Sequence, residues 1–291
     1  MHPRSILALA LAALLLAGCG GAGSSDRPDD SGAGISHPAG DALVLRVEQR
    51  GGFVAPAADL TRLPSFTLLG DGRVIQPGAV MAIFPGPIMP PLTVRRLNEG
   101  GVQAVLREVA ATGLFRASRQ FNAARDHVAD APDTVFELHA DGAEVILSVY
   151  ALGIGGGDNG LPADEARAHA LLTNLDARLA SLETWLPAGA WAEARSAPFQ
   201  AAALRLLVRD ASDEGADPSG IGFNLVPWPT SADPRSGSAL GEWRCSIVDG
   251  SEAAAWNAQL GSANTLTRWT RGADRYQVLP LPLLPDQARS C

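Results

Sequence analysis

The sequence contains no lysine, so each of its 23 basic residues is an arginine. This absence excludes a lysine Schiff base and a lysine general base from any chemistry of the chain. Arginine use of this kind, together with abundant alanine, is typical of a GC-rich genome. The 31 acidic residues give a formal net charge of −8. Because nucleic acids attract basic surfaces, we expect no nucleic-acid partner.

The start of the chain lacks an apolar run long enough to cross a membrane. Residues Ile6 to Leu16 are apolar, but a membrane span needs about 20 residues. Arg4 precedes this run, and Ala17, Gly18 and Cys19 follow it. This order is typical of a lipobox, which predicts a lipoprotein signal peptide over residues 1–18 and a diacylglycerol on Cys19. Two other interpretations are an ordinary cleaved signal with an incidental cysteine and a short buried helix.

Large apolar side chains are nearly absent from residues 19–40, where glycine, serine, aspartate and proline dominate. Such a segment buries too little surface to offset its ordering entropy, so we predict a disordered tether. The predicted location is extracytoplasmic. The lipid on Cys19 would hold the body at the outer face of the cell membrane or at an outer membrane, and the membrane is the predicted partner.

Only three cysteines are present, and acylation of Cys19 would leave Cys245 and Cys291. Two such cysteines usually pair in an oxidising compartment, which predicts a Cys245–Cys291 disulfide. Two free thiols and an intermolecular bridge are the alternatives. The spacing differs from that of a redox CxxC pair.

Recognised catalytic motifs are missing, because the chain has no GxSxG, SxxK or HExxH sequence. We therefore predict no catalytic residue, no metal site and no cofactor. Residues 155–160 contain a GxGxxG pattern, but the preceding strand belongs to a hairpin, which favours a flexible loop over a dinucleotide site. The carboxylates of residues 126–133 are predicted to lie in a solvated loop. His139 and His169 are predicted to be structural or surface residues.

Periodicity predicts an α+β fold in which antiparallel sheets of β-hairpins pack with a few helices. The predicted N-terminal α+β domain covers residues 41–187 and the C-terminal α+β domain covers residues 196–291. Both halves run from strands through a helix to a hairpin, which allows two similar subdomains.

Turn and cap residues mark several of these elements. Asp71-Gly72 and Asp141-Gly142 predict hairpins, because Asp-Gly suits a type I′ turn. Asn98 is a predicted N-cap whose helix ends before Gly113. The prolines of residues 85–91 predict an extended surface connection.

Two further helices are predicted. Residues 161–185 form the longest helical pattern, with an apolar stripe at Leu171, Leu175, Leu179 and Leu182. Ser251 is predicted to cap a short helix that ends at Leu260.

All six tryptophans lie at or beyond residue 185. Trp243 and Trp256 are predicted core residues. Trp228 lies between Pro227 and Pro229, which makes it the best candidate for exposure and the predicted ligand surface.

The stretches FTLLGDGRVIQPG, IFPGP and VRRL within residues 66–97, followed by DTVFELHADG and SVYALG, resemble lipoproteins of high-GC bacteria that have no assigned activity. The resemblance covers about residues 41–186 and the lipobox, and it implies no site residue. We expect a lipid-anchored envelope protein that binds a protein, peptide or glycan partner. The alternatives are an envelope-polymer hydrolase whose catalytic residues the sequence does not reveal and a scaffold that only spaces other components.

Overall fold

Eight strands form the first sheet of the protein. In the computed structural model they are β1 (Leu43–Arg50), β2 (Phe66–Leu69), β3 (Arg73–Pro77), β4 (Leu92–Arg96), β5 (Arg119–Phe121), β6 (Asp133–Ala140), β7 (Ala143–Tyr150) and β8 (Ala197–Pro198). Their order across the sheet is β5-β7-β6-β1-β2-β3-β4-β8. Neighbouring strands run antiparallel except for the parallel pair β5 and β7.

Six later strands form the second sheet. They are β9 (Ala203–Asp210), β10 (Asn224–Pro227), β11 (Ser238–Leu240), β12 (Trp243–Asp249), β13 (Thr267–Arg271) and β14 (Asp274–Leu283). Their order is β10-β13-β14-β9-β12-β11, and only β10 and β13 run parallel.

The described residues also contain four α-helices. These are α1 (Pro56–Leu60), α2 (Glu99–Ala111), α3 (Ala163–Ala180) and α4 (Gly250–Leu260). Short 3-10 turns lie at Ala123–Asp126, Leu182–Thr184 and Ala188–Ala190. None of the described helices combines the length and the apolar character that crossing a membrane requires.

The structure describes residues 34–54, 56–80, 82–89, 91–154 and 160–291. The predicted signal peptide, Cys19 and the tether up to residue 33 lie outside the described residues, as do residues 155–159 of the glycine loop. The last part of the predicted tether packs on the body. The Ile35 amide donates to Gln103 Oε1 at 2.9 Å, and the Ile35 side chain contacts the first core.

Helices pack against both sheets, which confirms the α+β fold with two similar subdomains. The first core joins α2 and α3 to the first sheet through buried side chains such as Phe136, Leu106 and Leu172. The second core joins α4 to the second sheet through Trp256 and Trp269. These clusters remove large apolar areas from water, which is the main favourable contribution to folding.

The predicted domain bounds remain a prediction. Ala197 and Pro198, placed by the sequence in the C-terminal domain, pair with β4 of the first sheet. The residues from Ile35 to Cys291 form one compact unit.

The predicted N-cap residue is confirmed at α2 and wrong at α4. Asn98 Oδ1 accepts a hydrogen bond from the Gly101 amide at 3.0 Å, which confirms the predicted N-cap. Gly113 follows the helix with a φ of 69°, as a C′ glycine should. At α4, Asp249 occupies the N-cap position and makes no side-chain cap bond, so the predicted Ser251 cap is wrong.

In α3 the buried stripe contains Leu172, Leu175 and Leu179, whereas Leu171 is half-buried. The prediction of Leu171 was wrong by one position, because two adjacent leucines fit the same helical spacing.

The two Asp-Gly hairpins use different turns. In the β6–β7 hairpin, Asp141 and Gly142 have φ values of 51° and 72°, as a type I′ turn requires. In the β2–β3 hairpin only Gly72 has a positive φ, of 84°, so the type I′ prediction there is wrong. The loop is one residue longer, and the Gly72 amide donates to the Leu69 carbonyl at 2.9 Å. A three-residue loop needs a left-handed residue only at its last position.

Candidate ligand groove

The connection between β3 and β4 runs through residues 78–91, which we name the proline strap. Its sequence, GAVMAIFPGPIMPP, carries no charge and contains four prolines. Prolines cannot donate to a sheet ladder, so the strap stays outside the named strands, as predicted for residues 85–91.

Main-chain hydrogen bonds fasten the proline strap to the loop that follows α4. The Thr265 amide donates to the Gly86 carbonyl at 2.9 Å, and the Ile88 amide donates to the Ala263 carbonyl at 3.3 Å. Ile88 also packs against the second core. The middle of the strap is therefore held in place by this loop. Other residues of the strap line the groove described next.

A groove of about 510 Å³ lies between the proline strap, the segment around Phe199 and the end of α4 near Leu260. None of the described residues that line it is charged. Ligand sites are commonly concave, mostly apolar and of 300–1,000 Å³. The groove therefore has the size and the chemistry of a site for an uncharged, largely apolar ligand.

Large apolar side chains of the strap remain exposed at this groove. Val80 is 53% exposed and Ile83 is 55% exposed, and both line the groove. Phe84, between Ile83 and the groove residue Pro85, is 60% exposed. A contiguous exposed apolar patch on a folded body is typical of an interaction surface.

Three side-chain amides and the Ser262 hydroxyl supply the polar side-chain groups of the groove. Asn257 Nδ2 donates to the Ala201 carbonyl at 3.0 Å, and Asn264 Oδ1 accepts from the Leu266 amide at 2.9 Å. Gln200 is exposed and has no hydrogen-bond partner among the described residues. Its amide can therefore donate to and accept from a bound ligand.

Trp228, the predicted ligand surface, is half-buried and lies outside the lining of this groove. Its ring meets Trp256 edge-on at 4.9 Å and Tyr276 at 5.8 Å. The Trp228 amide donates to the Thr270 carbonyl, which extends the parallel pairing of β10 with β13 and turns the ring onto the second core. The expected exposure of Trp228 was therefore wrong, whereas the core positions of Trp243 and Trp256 are confirmed.

Cys245 and Cys291 lie at disulfide distance, with their Cα atoms 5.8 Å apart. Cys245 is buried on β12, so the bond ties the chain terminus to the second sheet. Arg205 Nε adds a hydrogen bond to the Ser290 carbonyl at 3.1 Å. The disulfide pair fits an extracytoplasmic, oxidising location.

The predicted acidic loop at residues 126–133 is partly structured. Arg125 pairs with Asp133 at 2.7 Å, and the Tyr150 hydroxyl accepts from the buried Ala131 amide at 3.0 Å. His169 is half-buried on α3, and burial lowers the pKa of its imidazole.

No protein-family model, curated protein or solved structure matches the chain. The size and lining of the groove are therefore the basis for assigning a function.

Proposed function

We propose that the chain is a lipid-anchored extracytoplasmic binding module whose groove takes an uncharged, apolar peptide segment of an envelope protein. The lipobox at Cys19 and the resemblance to bacterial lipoproteins support the anchor, and the Cys245–Cys291 pair supports the compartment. The uncharged groove beside the proline strap is the observation that carries the binding role.

A peptide fits the lining better than an acyl chain or a glycan does. An acyl chain would cover the Gln200 amide and offer it no partner, which is unfavourable for a polar group that leaves water. A glycan presents many hydroxyl groups, whereas the groove wall is mainly carbon. A peptide offers main-chain groups to Gln200 and apolar side chains to Val80 and Ile83.

The proposal is tested by panning a peptide library against the mature chain carrying Cys19→Ser. We expect enrichment of uncharged peptides with apolar side chains. Ile83→Ser should weaken the dissociation constant of a selected peptide roughly ten-fold, since about 1.5 kcal/mol of apolar burial is lost. Fluorescence polarisation with the labelled peptide measures this change.

Leu225→Ser is the matched control, because Leu225 is also 55% exposed and lies outside the groove. Its peptide affinity should equal that of the parent chain. Failure to enrich any peptide would overturn the proposal, as would equal losses in Ile83→Ser and Leu225→Ser. Binding of a fluorescent fatty acid or an oligosaccharide in place of peptide would assign the groove to that other ligand class.

A further inference from the structure

A second cavity, of about 530 Å³, has the opposite chemistry to the groove. We name it the polar cavity. Its lining includes Arg46, Glu137, His139, Arg205 and Asp286, which come from the first sheet, the second sheet and the C-terminal tail. Charged and titratable groups of both signs thus converge where the tail covers the strands.

Strand geometry places three possible metal ligands together at the edge of this cavity, where His139 also lines the adjoining pocket that contains Glu144. Glu137 and His139 are two residues apart on β6, so both side chains project from the same face. Glu144 of β7 is the direct antiparallel partner of His139. One ligand atom from each of these three residues lies within 4.8 Å of the others.

The donor set suits a divalent transition metal. A histidine nitrogen and carboxylate oxygens bind Zn²⁺ at about 2.0–2.2 Å, which places two tetrahedral ligands roughly 3.3 Å apart. Glu137 Oε1 and His139 Nε2 lie 2.9 Å apart, close to that separation. Glu144 is exposed, so its carboxylate can rotate inward at little steric cost.

Asp286 adds a buried carboxylate oxygen with free hydrogen-bonding capacity to the same cavity. Its side chain is 7% exposed, and one carboxylate oxygen pairs with Arg46. The other, Oδ1, is buried and has no hydrogen-bond partner among the described residues, and the same is true of Arg46 Nε. Buried polar atoms are normally satisfied, and a water held by a metal ion would supply a donor.

The local charge also favours a cation. The carboxylates of Glu137 and Asp286 line the polar cavity with the guanidinium groups of Arg46 and Arg205, and Glu144 lies in the adjoining pocket. Asp286 neutralises Arg46, whereas Arg205 Nε is engaged by the Ser290 carbonyl. The two glutamates therefore have no arginine partner among the described residues, and His139 alone pairs with Glu137.

From this arrangement we infer that Glu137, His139 and Glu144 form a binding site for a divalent transition-metal ion of the Zn²⁺ type. Three protein ligands leave one tetrahedral position for water, which is the ligand count of catalytic rather than structural zinc sites. The site lies apart from the peptide groove and does not depend on the proposed function.

The test uses the mature chain with Cys19→Ser, freed of metal by dialysis against a chelator and then titrated with Zn²⁺ by calorimetry. We expect one Zn²⁺ per chain. His139→Gln and, separately, Glu144→Gln should each weaken the dissociation constant at least ten-fold. Co²⁺ in the same site should give the visible absorption of a tetrahedral ion, and His139→Gln should remove it.

His127→Gln is the control, because His127 is an exposed histidine that lines neither the polar cavity nor the pocket beside Glu144 and belongs to no three-ligand group among the described residues. Its Zn²⁺ affinity should equal that of the parent chain. The inference is overturned if the parent chain binds no stoichiometric Zn²⁺, or if His139→Gln and Glu144→Gln retain it. Circular dichroism of each variant checks that the fold is intact.

Discussion

The groove and the polar cavity enclose similar volumes, about 510 Å³ and about 530 Å³. They differ in the chemistry of their lining and in the bonds that hold their walls in place. The groove has no charged residue among its described lining, and main-chain hydrogen bonds hold its proline strap. The polar cavity has five charged or titratable residues, and a disulfide holds the tail that forms one wall. Changes to the tail should therefore alter the cavity more than the groove, although the tail also adjoins the groove residues Phe199 and Gln200.

Breaking the disulfide should have the largest effect. Cys291→Ser opens a bond that spans 46 residues, which lowers the free energy of unfolding by about 4 kcal/mol on the chain-entropy model. Urea unfolding of the mature chain measures this loss. The freed tail also removes Asp286 from the polar cavity, so Zn²⁺ affinity should fall.

Peptide affinity separates the two regions in the same variant. In the absence of urea, where Cys291→Ser stays folded, the groove should keep most of its affinity for the selected peptide, because the hydrogen bonds that hold the proline strap do not involve the tail. A parallel loss of peptide and Zn²⁺ affinity would contradict the independence of the two regions.

Removing the buried ion pair should have the second largest effect. Arg46 and Asp286 have side chains that are 10% and 7% exposed, so Asp286→Ala leaves a buried guanidinium without its carboxylate. Loss of one partner of a buried pair costs about 3 kcal/mol. Chemical denaturation measures the change.

Arg289→Ala is the control from the same tail. Arg289 pairs with Asp249 at 2.6 Å, but both side chains are more than half exposed. Exposed ion pairs contribute less than about 1 kcal/mol. Equal destabilisation by Asp286→Ala and Arg289→Ala would show that the tail acts through packing rather than through the buried charge.

Part of the polar cavity follows from the sequence alone. A two-residue turn at Asp141-Gly142 makes Ala140 and Ala143 partners, and His139 and Glu144 are then the next pair. Alternation along β6 adds Glu137 to the same face. The hairpin was predicted, but a lone histidine in a strand indicates only a structural or surface role, and the partner of His139 emerges only from the register of β6 with β7.

The remaining site residues depend on long-range packing. Asp286 reaches Arg46 across 240 residues, and no local pattern encodes that pairing. The groove likewise depends on hydrogen bonds between the proline strap and a loop about 180 residues later, where the sequence predicted only a surface connection. Trp228 appeared exposed because flanking prolines indicate a loop, whereas β10 pairs with β13 and brings the ring to the core.

The smallest effect is expected from Asp176 on α3, which lines neither the groove nor the polar cavity. Burial raises the pKa of its carboxyl above the ordinary value of 3.8. The folded state therefore binds a proton at higher pH than the unfolded chain does, and the ionised carboxylate destabilises the fold at neutral pH.

Asp176→Asn should stabilise the chain by roughly 0.5 kcal/mol at pH 7, a modest figure because the group is only half-buried and water screens it. As pH falls through the folded pKa and then below 3.8, the parent chain regains this stability and the difference should vanish. Thermal unfolding of both chains at pH 7 and pH 3 measures it. Because the substitution lies outside both sites, peptide and Zn²⁺ affinities should stay at parent values, and a change in either would show that α3 communicates with that region.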